Sequence, residues 1–428
     1  MKLFRSYCVL FAMSTCALAS SGQSITQIKL MSHNMLNFPT GNIQGRVDTL
    51  QKIVNYVQPD LLMIQELKTA QGLADINTMM NTLGYGNFAS CQFIAQQSDA
   101  GNPYPLQHAI VFNEDKLKLK SQFEVTTEVR DVNEYVMYIN DPGLATGSDT
   151  TFIYVYVTHL KSSEGADNEA LRLSMVNDWL AHMAQNFTGD ENVIIAGDFN
   201  IYTNQEEAYI ALTSADNTVT MHDVFSEYGN WNSTSFTHKE ILTQSTRSSQ
   251  VAGDGAGGGV DDRFDFILFS EALMDLTNPV FVEPDSYLSL GNTGNCYNQN
   301  ITDCDAANDV SYDVLRAIYY MSDHIPQVCN LGVQLDLGTE AISPTAFNME
   351  VIRRFDNALI QVESHMPCTA LIALSDATGR LIQCQNITLH SGLNQFTFPL
   401  NALNDGLYLF SLAADPQILL SSKLSWIR

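Results

Sequence analysis

Eight polar residues, each beside a short apolar run, could do chemistry if the fold brings them together: Asn34, Glu66, His159, Asp198, Asn200, Asp265, Asp323 and His324. The clearest stretch is Val193-Ile194-Ile195-Ala196-Gly197-Asp198-Phe199-Asn200, an apolar run that ends in Gly and presents an Asp and an Asn one residue apart. Buried strands often end in such residues for turn reasons alone, so this stretch by itself leaves the bland reading open. The set as a whole suits hydrolysis of a phosphoester. Carboxylates and amide oxygens are hard ligands of the kind Mg²⁺ or Mn²⁺ takes, and such an ion neutralises phosphate and stabilises the departing oxygen. A carboxylate can orient or deprotonate the attacking water, while a His held by a second carboxylate can stabilise the crowded phosphorane.

The intervening sequence supplies elements to position these groups. Strand-like runs start at Ile28, Asp60, His108, Thr151 and Val193, and helical spacing covers Arg46 to Val57, closed by Pro59, and Asp167 to Gln185. A shorter helical stretch covers Glu206 to Leu212, and Arg263 to Phe269 reads as a strand burying a short-range Arg/Asp pair among aromatics. Strands that alternate with helices and end in polar residues predict a layered α/β sandwich with its site at one sheet edge. Gly253 to Gly259 is a flexible loop; no Lys-Ser or Lys-Thr follows it, so it is not a P-loop. From about Gly338, short strand-like runs alternate with turns such as Asn404-Asp405-Gly406, which predicts a small β-sandwich. His33, His108, His182, His222 and His238 match no motif and read as core or surface residues, and Asp223 and Asp261 as turn residues.

Lys2 and Arg5, the apolar run Val9 to Met13, and Ala17-Leu18-Ala19 give the order of a secretory signal peptide spanning 1–19. No later apolar run is long enough to span a bilayer. Of the eight cysteines, Cys8 and Cys16 would leave with the signal; among the rest, Cys296 with Cys304 and Cys368 with Cys384 are the plausible local disulfides. The formal charge of −26 counts against a nucleic-acid binder of the basic-patch kind, although a divalent cation and a few local cations can reverse the sign in one cleft. Lys68, Lys161, Arg172 and Arg263 are the expected cleft cations.

Taken in order, Asn34, Ile64-Gln65-Glu66, Thr158-His159-Leu160, Gly197-Asp198-Phe199-Asn200, Arg263-Phe264-Asp265-Phe266 and Ser322-Asp323-His324 resemble the motifs of the endonuclease/exonuclease/phosphatase superfamily. That resemblance implies a DNase I-like four-layer α/β/β/α sandwich over 25–335. It implies that Glu66 binds Mg²⁺, with Asn34 and Asp323 helping and Mn²⁺ or Ca²⁺ as alternatives, and that Asp198 positions or deprotonates water. Asn200 and His159 would contact phosphate oxygens, and His324, oriented by Asp265, would stabilise the transition state. Some repair-type members carry an Asp two residues after the first Asn; here that position is Leu36, which removes a ligand for a second metal. The implied activity is that of a secreted, monomeric phosphodiesterase, with nucleic acid (DNA or RNA) as substrate. The alternatives are a phosphatase, a sphingomyelinase-like phospholipase C, or a surface adhesion protein with an inactive hydrolase fold.

Residues 339–428 resemble the type A sorting domain of the type IX secretion system, through Leu374-Ser375-Asp376-Ala377-Thr378-Gly379-Arg380-Leu381, Ser391-Gly392-Leu393-Asn394 and Leu403-Asn404-Asp405-Gly406-Leu407-Tyr408. The resemblance implies export to the cell surface or medium with the type IX machinery as partner. A surface-binding β-module is the alternative.

Overall fold

The computed structural model describes residues 23–99, 105–141, 144, 150–304, 310–336, 347–354, 357–365, 367–377, 380–401, 403–414 and 417–426. The expected signal peptide at 1–19 and the change of character near Gly338 lie outside the described residues. The chain divides into two compact units, one of Ser24–Leu335 and one that includes Asp336–Arg428.

In chain order the first unit runs β1 (Gln23–Phe38), α1 (Arg46–Val57), β2 (Leu61–Leu67), α2 (Ala70–Thr82), β3 (Phe88–Ser90), β4 (Gln107–Asn113), β5 (Leu117–Val125), β6 (Val132–Ile139) and β7 (Phe152–His159). It continues with α3 (Ala166–Asn186), β8 (Val193–Asp198), α4 (Glu207–Leu212), β9 (Met221–His222), β10 (Asp265–Ser270), α5 (Glu271–Met274), β11 (Val280–Val282), β12 (Leu288–Ser289), α6 (Tyr312–Met321) and β13 (Gln327–Asp336). One sheet has the order β11-β13-β1-β2-β4-β3, with β12 paired to β13; the other has the order β5-β6-β7-β8-β10-β9.

The central strands read as continuous apolar runs because both of their faces are covered. Every residue of β4 and of β8 is buried. The inner faces of the two sheets meet through Leu30 and Leu61 on one side and Met137, Val155 and Ile194 on the other, within a single core. Helix α1 turns Leu50, Ile53, Val54 and Val57 inward, the i, i+3, i+4, i+7 stripe of an amphipathic helix. Helix α3 does the same with Met175, Val176, Trp179 and Met183. The result is the four-layer α/β/β/α sandwich. Helix α6 buries Val314, Leu315, Ala317, Ile318 and Met321 on one face, and α2 buries Leu73, Ile76, Met79 and Met80, while strand β5 is half-exposed along its length.

The second unit is all β. A three-stranded sheet of Phe347–Arg354, Asn357–Ser364 and Gly392–Pro399 and a four-stranded sheet of Leu381–Leu389, Cys368–Asp376, Gly406–Ala414 and Gln417–Trp426 enclose Ile360, Ile372, Leu374, Phe398 and Phe410. Cys296 and Cys304 form the expected disulfide. Cys368 and Cys384 do not: both thiols are free, because Cys368 pairs in register with Leu389 and Cys384 with Ala373. Five residues of strand separate the two positions, roughly 17 Å, and a disulfide tolerates no more than about 7 Å between Cα atoms.

Candidate active site

The two sheets deliver their polar strand ends to one edge. Asp198 closes β8, and the register places His159 of β7 on one side of it and Asp265 of β10 on the other. Strand β7 can approach so closely because position 197 is glycine: a Cβ there would stand 1.9 Å from Thr158 O, with φ at +149°. In the other sheet, Asn34 of β1 lies in register with Gln65 of β2, and the backbone at Glu66 turns into the left-handed region at φ +58° as the strand ends. Asp323 and His324 stand between α6 and β13.

These groups form one hydrogen-bonded cluster. Asn34 Nδ2 donates to Asp198 Oδ2 at 3.0 Å and to Glu66 Oε1 at 3.1 Å, which joins the two sheets. Glu66 Oε2 accepts the backbone N–H of Asn37 at 2.9 Å. His159 Nε2 and His324 Nε2 each lie 3.5 Å from Asp198 Oδ2, one imidazole on either side. His324 Nδ1 donates to Asp265 Oδ2 at 2.8 Å.

Burial sets the electrostatics. Desolvation pushes the Asp198 carboxyl up to about 7, against the pull of His324 and with the help of Asp265 and Glu66. Glu66 is raised by burial and by Asp323. Burial lowers His324, but the Asp265 and Asp198 carboxylates outweigh it and hold the imidazole well above its ordinary value. His159 also neighbours Asp198, but burial, with Arg130 adding to it, drives its imidazole well below the ordinary value. Glu66, Asp198, Asp265 and Asp323 therefore share one corner, a concentration of buried carboxyl groups that a bound cation would stabilise in their charged form. Among the described residues no group of three or more His, Cys, Asp or Glu side chains is placed to hold a metal ion. Glu66 and Asp198, joined through Asn34, offer hard carboxylate oxygens of the kind a divalent cation takes with water completing its shell.

Four expected residues have partners that the sequence did not disclose. Asn200 caps the strand end: its N–H donates to Asp198 Oδ1 at 3.0 Å and its side-chain amide to Leu160 O at 3.3 Å. Asp323 Oδ2 accepts the backbone N–H of Ala256 at 2.6 Å, so the Gly-rich loop is anchored on this carboxylate. Arg263 does not pair with Asp265. Its guanidinium forms a buried fork with Asp223, at 2.8 Å to each oxygen, stacked among Phe225, Trp231 and Phe266. Arg172, also fully buried, bonds Glu206 and the carbonyls of Lys161 and Ser163. Neither arginine is a cleft cation, and Asp223 is more than a turn residue. Lys68 lies beside Glu66, and Lys161 Nζ bonds Ser162 O near Arg130.

Two residues at the site carry no motif. Arg130 donates to His159 O and Leu160 O at 3.3 and 2.7 Å, within electrostatic reach of Glu66 and Asp198. The alternation Leu117-Lys118-Leu119-Lys120 was the available signal for the hairpin that delivers it. Gln244 reaches His324 from a loop without periodicity, and no sequence signal marks it.

Residues 31–324 match the model of the endonuclease/exonuclease/phosphatase family, a span that runs from β1 to His324 and contains the whole cluster. The chain belongs to that family. It is thus a phosphoric ester hydrolase of the nuclease and phosphatase kind. No curated protein matches the sequence. Solved structures similar to this family member include the human Nocturnin catalytic domain with bound sulfate anion, at 17% identity over 72% of this chain and 97% of that one with a TM-score of 0.45. Another is D. rerio TDP2 complexed with single strand DNA product, at 18% identity over 72% and 99% with a TM-score of 0.46. The endonuclease/exonuclease/phosphatase from Bacteroides vulgatus is 16% identical over 72% and 99%, with a TM-score of 0.45. Among the described residues no helix is long and apolar enough to cross a membrane.

Proposed function

We propose that this chain is an exported, divalent-metal-dependent phosphodiesterase that cleaves nucleic acid, DNA or RNA. The observation that carries the reading is the convergence on Asp198, whose Oδ2 is reached by Asn34 from one sheet, by His159 beside it and by His324 from the facing loop. Glu66 would hold the metal, with Asn34 and Asp323 helping, Asn34 by bridging Glu66 to Asp198 through its Nδ2. When bound, the ion supplies charge neutralisation at the phosphate and at the leaving oxygen. Asp198, poised near neutrality by burial, positions the attacking water or accepts its proton. His159 and the turn at Asn200 face the phosphate oxygens, and His324, held by Asp265, donates to the oxygen that gains charge. Export rests on the signal-peptide pattern at 1–19 and on the type A sorting motifs of the second unit.

The formal charge of −26, together with the burial of Arg172 and Arg263 away from the cleft, favours a second reading in which the substrate is a small phosphoester or a lipid headgroup. One panel decides between them: plasmid DNA, RNA, sphingomyelin, inositol phosphates and bis(p-nitrophenyl) phosphate, each with Mg²⁺ or Mn²⁺ and each with EDTA. The expected result is EDTA-sensitive cleavage of nucleic acid, lost in Asp198→Ala and His324→Ala. Turnover of the lipid or the monoesters alone would remove the nuclease assignment, and no turnover at all would remove the enzyme.

A further inference from the structure

The segment from Thr243 to Thr246 runs alongside Ser322 to Ile325. Ile325 N donates to Thr243 O at 2.7 Å, Thr246 N to Asp323 O at 3.0 Å and Thr246 Oγ1 to Ser322 O at 2.6 Å. On its other side Gln244 is locked to the approach to β10: its N–H donates to Asp262 O, and its carbonyl accepts the N–H groups of Asp261 and Asp262. The neighbouring Thr243 Oγ1 accepts the N–H groups of Phe264 and Asp265 at 2.9 and 3.1 Å. One short segment therefore fixes both His324 and its carboxylate partner.

The Gln244 side chain is delivered to the outer nitrogen of the imidazole. Its Nε2 donates to His324 Nε2 at 2.6 Å and lies 3.3 Å from Asp323 Oδ2, so in this arrangement the ring carries its proton on Nδ1 and accepts at Nε2. It is half-buried, whereas His324, Asp323 and Asp265 are buried, so it stands on the solvent side of the cluster. Asp265 Oδ2 can only accept from Nδ1, which leaves Nε2 to face the site. Asn34 Nδ2 and Asp198 Oδ2 also approach Nε2, at 3.4 and 3.5 Å, but the 2.6 Å contact with Gln244 is the short one and fixes this end of the ring. We infer that Gln244 is a positioning residue for His324, holding the outer ring nitrogen at the mouth of the site until a phosphoryl oxygen takes its place. The inference rests on the phosphodiesterase reading for its kinetic consequence, but not for the hold itself.

The test uses the full chain with Gln244→Met, which keeps the length and removes the amide, and Gln244→Asn, which keeps the amide one methylene short. Nitrogen NMR of the His324 ring in the metal-free protein is expected to show a displaced Nε2 resonance in both variants, with Mn²⁺ affinity by calorimetry unchanged. On bis(p-nitrophenyl) phosphate with Mg²⁺, kcat is expected to fall about tenfold with KM within about twofold, the scale of one lost hydrogen bond. Unmoved His324 resonances in both variants, or a raised KM at unchanged kcat, would overturn the inference. Should the parent cleave no phosphoester, the functional proposal falls while the NMR result still decides the role of Gln244.

Discussion

Asp265 opens β10 in one sheet, His324 precedes β13 in the other, and the 2.8 Å bond from His324 Nδ1 to Asp265 Oδ2 ties the two sheets together at the edge where the cluster sits. The carboxylate does two things at once: it fixes the ring and it favours the imidazolium. Asp265→Asn keeps the size and removes the charge, so it is expected to lower kcat by roughly 10²–10³-fold, the range for loss of a charge-stabilising or general-acid arrangement. Steady-state kinetics with Mg²⁺ checks this, alongside a melting curve to show that the fold survives. An Asp265→Asn enzyme as active as its parent would separate the pair from the chemistry.

The buried fork between Arg263 and Asp223 predicts an asymmetry in stability. Asp223 is completely buried, and the Arg263 guanidinium holds its carboxyl below the ordinary value although burial opposes this. Asp223→Ala leaves a buried guanidinium without its partner and is expected to cost about 3–5 kcal/mol. The joint replacement Asp223→Leu with Arg263→Met removes both charges and should cost less than Asp223→Ala alone. Urea denaturation of the three proteins gives the comparison; a double replacement worse than the single one would contradict it.

The β7–β8 contact is a steric statement about one residue. Gly197→Ala puts a methyl group against the Thr158 carbonyl, which is backbone on both sides and has nowhere to move except by opening the strand pair that aligns His159 with Asp198. The expected cost is about 2–4 kcal/mol of folding stability, with activity falling further than the folded fraction because the register of the two side chains is disturbed. Parallel measurement of unfolding and of kcat on the folded fraction distinguishes the two effects. Full activity at full stability would show that the strands are not as close as 1.9 Å implies.

What was legible in the sequence was whatever is local. Strand β8 with its terminal Asp198, helix α1 bounded by Pro59, and the strand exits at Glu66 and His159 follow from periodicity and turn chemistry within a few residues. Partner choice was not local. Arg263 and Asp265 are two residues apart and invite pairing on paper, yet each answers to a different element, Asp223 for one and His324 for the other. Cys368 and Cys384 are near in sequence but are set apart by the register of their two strands. Arg130 and Gln244 reach the site from loops, where no period signals a destination.

His108 gives the last expectation, one of pH. It is buried in β4, and burial, with Arg130 adding to it and the backbone at Asp131 opposing only in part, pushes its pKa from 6.5 down to about 3. The folded protein therefore keeps this ring neutral where the unfolded chain would protonate it. The sign follows: the contribution to stability is complete above pH 6.5 and is lost as pH falls from 6.5 toward 3, at up to about 1.4 kcal/mol per pH unit. His33, lowered to about 3 chiefly by burial, acts in the same direction and persists in any variant at position 108. His108→Leu should accordingly flatten the acid limb without abolishing it. Urea unfolding of parent and variant at pH 7.5, 6.5 and 5.5 reads the two slopes, and parallel slopes would mean that His108 is solvated, or already protonated, in the folded protein.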